Sequence, residues 1–412
     1  MAEDGSPPNA RRSLLSRRVA DTLLGSKESW TRRMFELAGQ LRRDGGGPVH
    51  DLSLGNPSLE PPPLWRRAII ELLTDEPPGM HRYMTNAGFP EVRAFIAERE
   101  GQRYGLSVEP DDVTMTVGAA GAVNVLMRAM LEPGDEVIVP APYFSEYDHY
   151  CANVEAALVP VPMGADFALD PERIVAAITP RTRWVMLNSP NNPTGAVYDT
   201  TSLQALAAAL ERVNAERDQP IFVIEDSPYR DLVHDGSSVP AMLSHYAHTI
   251  LLTSHSKDLG LAGERIGYLV VSPHAAERRL VARAAAFCNR VLGFVNAPAL
   301  MQRVLPRVLD DPSGRVDVGV YARRCAKMTE GLRALGFTLP EPRAGFFLFP
   351  GLPDRLRDAQ GGDVALTEAL LEHRTIVVPG TAFGAPGHLR LSMATDDDAV
   401  DGALAAFNDV CA

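Results

Sequence analysis

Lysine is almost missing from this chain. Lys27, Lys257 and Lys327 are the only three among forty basic residues, and arginine supplies the rest. An arginine replaces a lysine in a surface ion pair, but it keeps its proton inside a protein and cannot serve as an amine nucleophile. A lysine kept in Ser254-His255-Ser256-Lys257, directly after the apolar run Thr249–Thr253, is therefore a candidate amine; the plain alternative is a solvated lysine at a strand end. Cysteine is scarce as well. Cys151, Cys288, Cys325 and Cys411 lie far apart with no C-x-x-C pair, which suits neither a zinc ribbon nor a disulfide framework and points to reduced thiols in a cytoplasm. No uncharged apolar run reaches the roughly 18–20 residues of a membrane span. The net charge of −12 argues against a general nucleic-acid binder, whose footprint is basic. Three catalytic signatures are also missing. Ser254-x-x-Lys257 has the S-x-x-K form of serine acylases, yet no lysine is followed by Thr-Gly to complete their K-T-G element. There is no Gly-Lys step for a Walker A loop and no H-E-x-x-H metal motif.

What is present reads as a layered α/β protein. At 412 residues, 45% apolar and 22% charged, the chain is long enough for two or three ordinary domains. Residues 1–20 carry Arg11-Arg12 and Arg17-Arg18, but Glu3 and Asp4 come early and no apolar segment follows, so a flexible arm over 1–26 is expected in place of a targeting peptide. Short β-branched runs at Val113–Val117, Glu136–Val139, Ala157–Pro162, Trp184–Leu187, Ile221–Ile224, Thr249–Thr253 and Ile266–Val271 predict strands. Between them, Ala119–Leu131, Asp170–Ala177, Thr201–Ala215 and Ala275–Ala286 have helical spacing. A helix is expected over 27–44, stopping at Gly45-Gly46-Gly47-Pro48, and the last hundred residues mix a helix near 317–335 with strands near 345–349, 375–378 and 388–393.

Several motifs fall at predicted strand ends, where open α/β sheets place their ligands. Thr116-Val117-Gly118-Ala119-Ala120-Gly121 joins a strand to a helix through small residues that let backbone amides approach an anion, though a tight structural turn has the same composition. Asn188-Ser189-Pro190-Asn191-Asn192-Pro193-Thr194-Gly195 is a loop stiffened by proline and glycine. Asp226-Ser227-Pro228-Tyr229 sets an acid just past an apolar run, where it needs a cationic partner unless it only caps a helix. Ser254, Ser256 and Arg265 around Lys257 suit a phosphate dianion. Arg390, within Leu389–Ser392, has the two-pronged donor geometry that grips a carboxylate, or is a plain surface charge.

Taken together, these motifs resemble the class I/II aminotransferases of the fold type I pyridoxal 5'-phosphate (PLP) family, the aspartate/aromatic aminotransferase-like group. The resemblance runs from about Asp51 to Met393 and includes the eight-residue step from Lys257 to Arg265. It implies a three-layer α/β/α large domain with a mostly parallel seven-stranded sheet, over 56–310, and a smaller α+β domain built from both termini, over 27–55 and 311–412. It implies a cytoplasmic homodimer that moves the amino group of an L-amino acid to a 2-oxo acid. Lys257 would carry PLP as a Schiff base and then move the proton between Cα and C4′. Asp226 would keep the pyridine nitrogen protonated, and Tyr229 and Asn192 would contact the ring's phenolic oxygen. Phe144, in Pro142-Tyr143-Phe144, would stack on the ring. The amides of Ala119 and Ala120 would bind the phosphate with Ser254, Ser256 and Arg265, and Tyr83 would reach it from the neighbouring subunit. Arg390 would hold the substrate carboxylate, helped by Gly55-Asn56-Pro57.

One departure is visible. Some aspartate-specific relatives carry a lysine where this chain has Ala120, which puts an acidic donor in question. Tyr143, Tyr147 and Phe294 are candidates to line a pocket for a larger apolar substrate, with core packing the alternative. The rival reaction is another PLP chemistry on the same scaffold (β-lyase, decarboxylase or oxidase), since the Cα bond that breaks is the one held perpendicular to the ring. A non-catalytic module fused to a DNA-binding regulator is not expected, given the short stretch ahead of residue 27. No metal is expected.

Overall fold

Seven strands form one sheet at the centre of the molecule, a computed structural model that describes residues 14–16, 19–20, 30–75, 77–357 and 361–411. The strands are β2 (Val113–Thr116), β3 (Glu136–Ala141), β4 (Ala157–Pro162), β5 (Thr182–Asn188), β6 (Phe222–Asp226), β7 (Thr249–Ser254) and β8 (Gly267–Val271); β1 (His50–Asp51) lies elsewhere. Their order is β2-β8-β7-β6-β5-β3-β4, and only β8 runs antiparallel to its neighbours. Each corresponds to one predicted run.

Apolar residues occupy both faces, as a parallel sheet covered by helices requires. On one face Val137, Trp184, Met186, Phe222 and Ile224 pack with Val125 and Leu126 of the helix Gly118–Met130 and Ala285 of the helix Arg278–Val291. On the other, Ile138, Val185, Leu187 and Val223 pack with Leu203, Leu206 and Leu210 of the helix Thr200–Asn214. The period-2 alternation along each strand thus feeds two cores and makes three layers. Asp199 caps the helix Thr200–Asn214 by accepting from Ser202 N at 2.7 Å, a contact of about 1 kcal/mol.

Residues 30–52 meet the C-terminal part of the chain. β1 pairs in parallel with β10 (Thr375–Ile376), and β11 (Val378–Pro379), β12 (Leu389–Ser392) and β9 (Phe347–Leu348) make an antiparallel sheet in the order β11-β12-β9. Leu52 shares one core with Tyr321, Met328, Phe346, Leu391 and Phe407. The helix Trp30–Asp44 adds Met34 and Ala38 to a cluster with Phe349, Ile376 and Phe383.

Two expectations need correction. The single strand near 375–378 is two short ones, because the chain leaves its pairing with β1 after Ile376 and takes up β12 from Val378. The helix expected from Ala275 starts only at Arg278, since Glu277 has a left-handed backbone (φ 49°); it then runs on to Val291. The arm expected over 1–26 lies outside the described residues apart from 14–16 and 19–20. Among the described residues no helix is long and apolar enough to cross a membrane.

Candidate active site

The parallel strands β5, β6 and β7 end side by side at Asn188, Asp226 and Ser254, and a cavity of about 360 Å3 opens at those carboxyl ends. Its walls bring together nearly every residue singled out from sequence: Gly55, Asn56, Ala119, Ala120, Phe144, Asn192, Asp226, Tyr229, Ser254, Ser256, Lys257, Arg265 and Arg390.

Lys257 sits on the turn after β7. Its Nζ donates to Gly55 O at 2.6 Å and lies 5.8 Å from the centre of the Phe346 ring. Burial, with Arg265 and Arg390 nearby, pulls the amine from its ordinary 10.5 down to about 8. A Cβ on Gly55 would come within 2.6 Å of Phe347 Cζ, so glycine brings this carbonyl to the lysine without displacing that ring.

Asp226 ends β6 and is buried. Oδ2 accepts from the Tyr147 hydroxyl at 2.6 Å, whereas Oδ1 is buried with no hydrogen-bond partner. Burial raises the carboxyl to about 6, and the Tyr147 bond acts the other way. Tyr147→Phe is therefore expected to push the Asp226 titration further above 6; a 13C NMR pH titration of that carboxyl reads the change. Asn188 donates to Asp226 O at 2.7 Å and accepts from Asn192 N at 2.7 Å. Asn192 Oδ1 in turn accepts from Arg390 Nη1 at 3.2 Å. One hydrogen-bonded row thus links the main chain of Asp226 to the Arg390 guanidinium.

Arg390 comes from β12 and is only 3% exposed, yet among the described residues it forms no ion pair with a carboxylate. Nη2 donates to Ser53 O at 2.5 Å, and Nε is buried without a partner. The guanidinium lies 4.9 Å from the Phe347 ring and 4.7 Å from the Phe383 ring, so aromatic faces carry its charge in place of an anion. Burial draws its pKa down to about 10. Tyr229 packs edge-on against Phe346 and Phe347.

At the other end of the cavity, Gly118 opens a helix with φ 78°, and a Cβ there would meet Arg265 Nη2 at 2.9 Å. The guanidinium is thereby laid against the helix start, where the Ala119 and Ala120 amides have no intrahelical acceptor. Arg265 Nη1 and Nη2 donate to Ala262 O and Val117 O at 3.0 and 3.3 Å. Ser254 and Ser256 are buried beside it. Helix-start amides, two hydroxyls and a guanidinium make an anion cradle.

Tyr83 is not brought in; it is 86% exposed and lies outside the cavity walls. Of the candidate pocket residues Tyr143, Tyr147 and Phe294, Tyr147 alone lines the cavity. Tyr147 is spent on Asp226, Tyr143 donates to Asp148 at 2.9 Å, and Phe294 packs on the sheet core. Tyr150 and Phe347 were missed from sequence but line the cavity, and the parts that Tyr147 and Asn188 play beside Asp226 were not foreseen. Composition offers no signal for them, since the Tyr147 and Asp226 partners are 79 residues apart.

Residues 48–407 match the family described as aminotransferase class I and II. The chain is 34% identical over 401 residues to an aspartate/prephenate aminotransferase of Thermus thermophilus, covering 95% of this chain and 97% of that protein. It is 29% identical to an aspartate aminotransferase of Pyrococcus horikoshii, covering 92% and 94%. Among solved structures, an amino transferase from Eubacterium rectale superposes with a TM-score of 0.89 at 33% identity, covering 97% of this chain and 98% of that one. Aspartate aminotransferase from Thermus thermophilus with maleate gives 0.84 at 32%, covering 97% and 100%. With the sheet, the cavity and these relatives in agreement, the chain belongs to the class I and II aminotransferase family and is a transaminase.

Proposed function

We propose that the cavity holds PLP and that this chain uses it to move an amino group from an L-amino acid to a 2-oxo acid. The observation that carries the reading is the unpartnered buried oxygen of Asp226 in the same cavity as a desolvated lysine. A buried carboxylate oxygen without a donor is costly, and a protonated ring nitrogen supplies the missing donor. The anion cradle at Gly118–Ala120 fits a phosphate, so the residues present suit the whole cofactor.

When bound, PLP supplies an aldehyde for the amino group and a ring that takes up the electron pair released at Cα. Lys257 supplies the amine, and burial keeps a useful fraction of it neutral near pH 8. Once free, the same Nζ would take the proton from Cα and deliver it to C4′. Asp226 would hold a proton at the ring nitrogen. Tyr229 and Asn192 would contact the phenolic oxygen, and Phe144 would offer a stacking face. Ala119, Ala120, Ser254, Ser256 and Arg265 hold the phosphate. Arg390, with the Gly55 loop, holds the α-carboxylate and so orients the Cα–H bond.

Arg390→Ala leaves a substrate carboxylate without its main partner. The expected loss in kcat/KM is about 100-fold, or ~3 kcal/mol, within the range for truncating one side of a buried charge pair. Initial rates with the donor varied check it, and Arg390→Lys should recover only part because a single ammonium lacks the paired donors. The function itself is tested by borohydride reduction of the PLP-loaded chain, which should leave an adduct on the peptide carrying Lys257. A panel of amino acids with pyruvate or 2-oxoglutarate then identifies the donor. The relatives' names put aspartate first among donors and prephenate, a 2-oxo acid, first among acceptors. Lys257, Arg265 and Arg390 are the only cations lining the cavity among the described residues, so a donor with a second carboxylate needs a cation from elsewhere.

The chain is proposed to act in amino acid metabolism as a cytoplasmic homodimer, with 27–55 and 311–412 as the small domain, 56–310 as the large one and 1–26 as a flexible arm. Four buried free cysteines support the compartment. An exposed apolar stripe, Leu280, Phe287 and Val291 on one helix with Leu292 after it, supports a second copy. Exposed Tyr83 is free to reach the neighbour's phosphate.

A further inference from the structure

We infer that His255 and Asp258 are positioning residues that clamp the turn carrying Lys257, so that its amine stays desolvated and aimed into the cavity. The inference rests on the PLP reading above and adds residues that do not line the cavity themselves.

The turn after β7 splits its side chains two ways. Ser256 and Lys257 line the cavity, whereas His255 and Asp258 do not; both are buried in the protein, 3% and 4% exposed. His255 Nδ1 donates to Asp258 Oδ2 at 3.0 Å, closing a bridge across Lys257. The backbone on either side is tied down too. His255 N donates to Ile266 O at 3.0 Å, Leu261 N to His255 O at 3.2 Å, and Val316 N to Asp258 O at 3.0 Å. Gly260 leaves no slack, because a Cβ there would lie 2.7 Å from Leu59 O. The imidazole also packs against the Tyr268 ring at 5.7 Å.

His255 Nε2 and Asp258 Oδ1 are buried with no hydrogen-bond partner. The pair therefore leans on its own bond alone, and removing either member strands the other. That is an expensive way merely to close a turn, for which backbone bonds already suffice. Its geometric result is the fixed path of Lys257 between its two members. Arg265 and Arg390 face Lys257 Nζ across the cavity, with Asp226 and Tyr229 on the same walls, so the charge Nζ carries depends on how far the turn holds it from water.

Four PLP-loaded proteins test this: wild type, Asp258→Leu, Asp258→Asn, and the double variant His255→Leu/Asp258→Leu. Three readouts are taken: the pH midpoint of bound-PLP absorbance without substrate, kcat and KM, and the melting temperature of the apo chain. In Asp258→Leu the midpoint should move upward as water reaches Nζ, and kcat should fall by roughly 10-fold or more with KM little changed. Asp258→Asn keeps an acceptor for Nδ1 and should restore both. The double variant strands no polar group and should melt like wild type, yet keep the shifted midpoint and low kcat. A double variant restored in all three readouts, or single variants that titrate like wild type, would overturn the clamp and leave a packing role. A wild-type chain with no PLP absorbance would instead overturn the cofactor reading, and the clamp with it.

Discussion

Lys257→Ala is expected to leave a folded chain that turns over no substrate. The covalent attachment and the proton carrier at Cα are lost together, and neither remaining lysine can stand in. Lys327 pairs with Asp401 on the surface, and Lys27 lies outside the described residues. Loss of a general base alone costs up to about 10^4-fold, or ~5 kcal/mol of barrier, and here a covalent step goes with it. Folding should survive. The lysine's one hydrogen bond, to Gly55 O, replaces an interaction with water, and its folded-state pKa is depressed. The sign follows from that depression. Between about 8 and 10.5 the unfolded chain holds the lysine proton that the folded chain has lost, so the wild type gains stability as pH rises through this window. Below about 8 the buried charge is a net cost, and the alanine variant of the apo chain should melt at or above the wild-type temperature. Rates and apo melting curves at pH 7 decide it. A variant that keeps its rate would remove Lys257 from the chemistry, and one that fails to fold would give the lysine a structural role.

The fold was legible where one physical pattern decides it. Seven β-branched runs separated by helical spacing specify a covered sheet, and every run became a strand. The ends of those strands were less clear. The apolar run predicts a strand over Ile221–Ile224, yet Glu225 and Asp226 also belong to β6 and are buried. Glu225 accepts from Leu243 N, a contact 18 residues away that no local pattern reveals. The pairing of His50 with Thr375 is of the same kind. For the site, motifs at strand ends located Lys257, Asp226, Asn192 and Arg265 because the central sheet carries them to one edge, and Arg390 reaches the same cavity from β12 of the smaller sheet. The residues that orient them were hidden. Tyr147 reaches Asp226 from the helix Glu146–Asn153, and Phe383 stacks on Arg390 from a short turn beside β12. Nothing in an aromatic residue's own neighbourhood distinguishes such a partner from core packing. Tyr83 shows the opposite case: it matches a family position, but within one subunit it touches none of the cavity.

Asp226 should give the second large effect, and it should separate activity from stability. Asp226→Asn cannot hold a proton at the ring nitrogen, so electron withdrawal weakens and kcat should fall by about 10^3-fold, or ~4 kcal/mol, as when an electrostatic stabiliser is removed from a buried site. The apo chain should respond the other way. Burial lifts the carboxyl from its ordinary 3.8 to about 6, so between those values the unfolded chain is ionised while the folded one keeps its proton. Wild-type stability from this group is complete below 3.8 and is lost as pH rises through about 6. The loss is on the order of 3 kcal/mol at ~1.4 kcal/mol per pH decade. Asparagine does not ionise, so the variant should match wild type at the acid end and become the more stable apo protein above about 6. Denaturant melts of both apo chains across pH 4–7.5 trace the divergence. Loaded with PLP, the order should close up or reverse, because the ring nitrogen gives wild-type Oδ1 the donor it lacks. A variant less stable than wild type at neutral pH in the apo state would mean that the ionised carboxylate is already satisfied within the protein, and the case for a cofactor nitrogen beside it would fail.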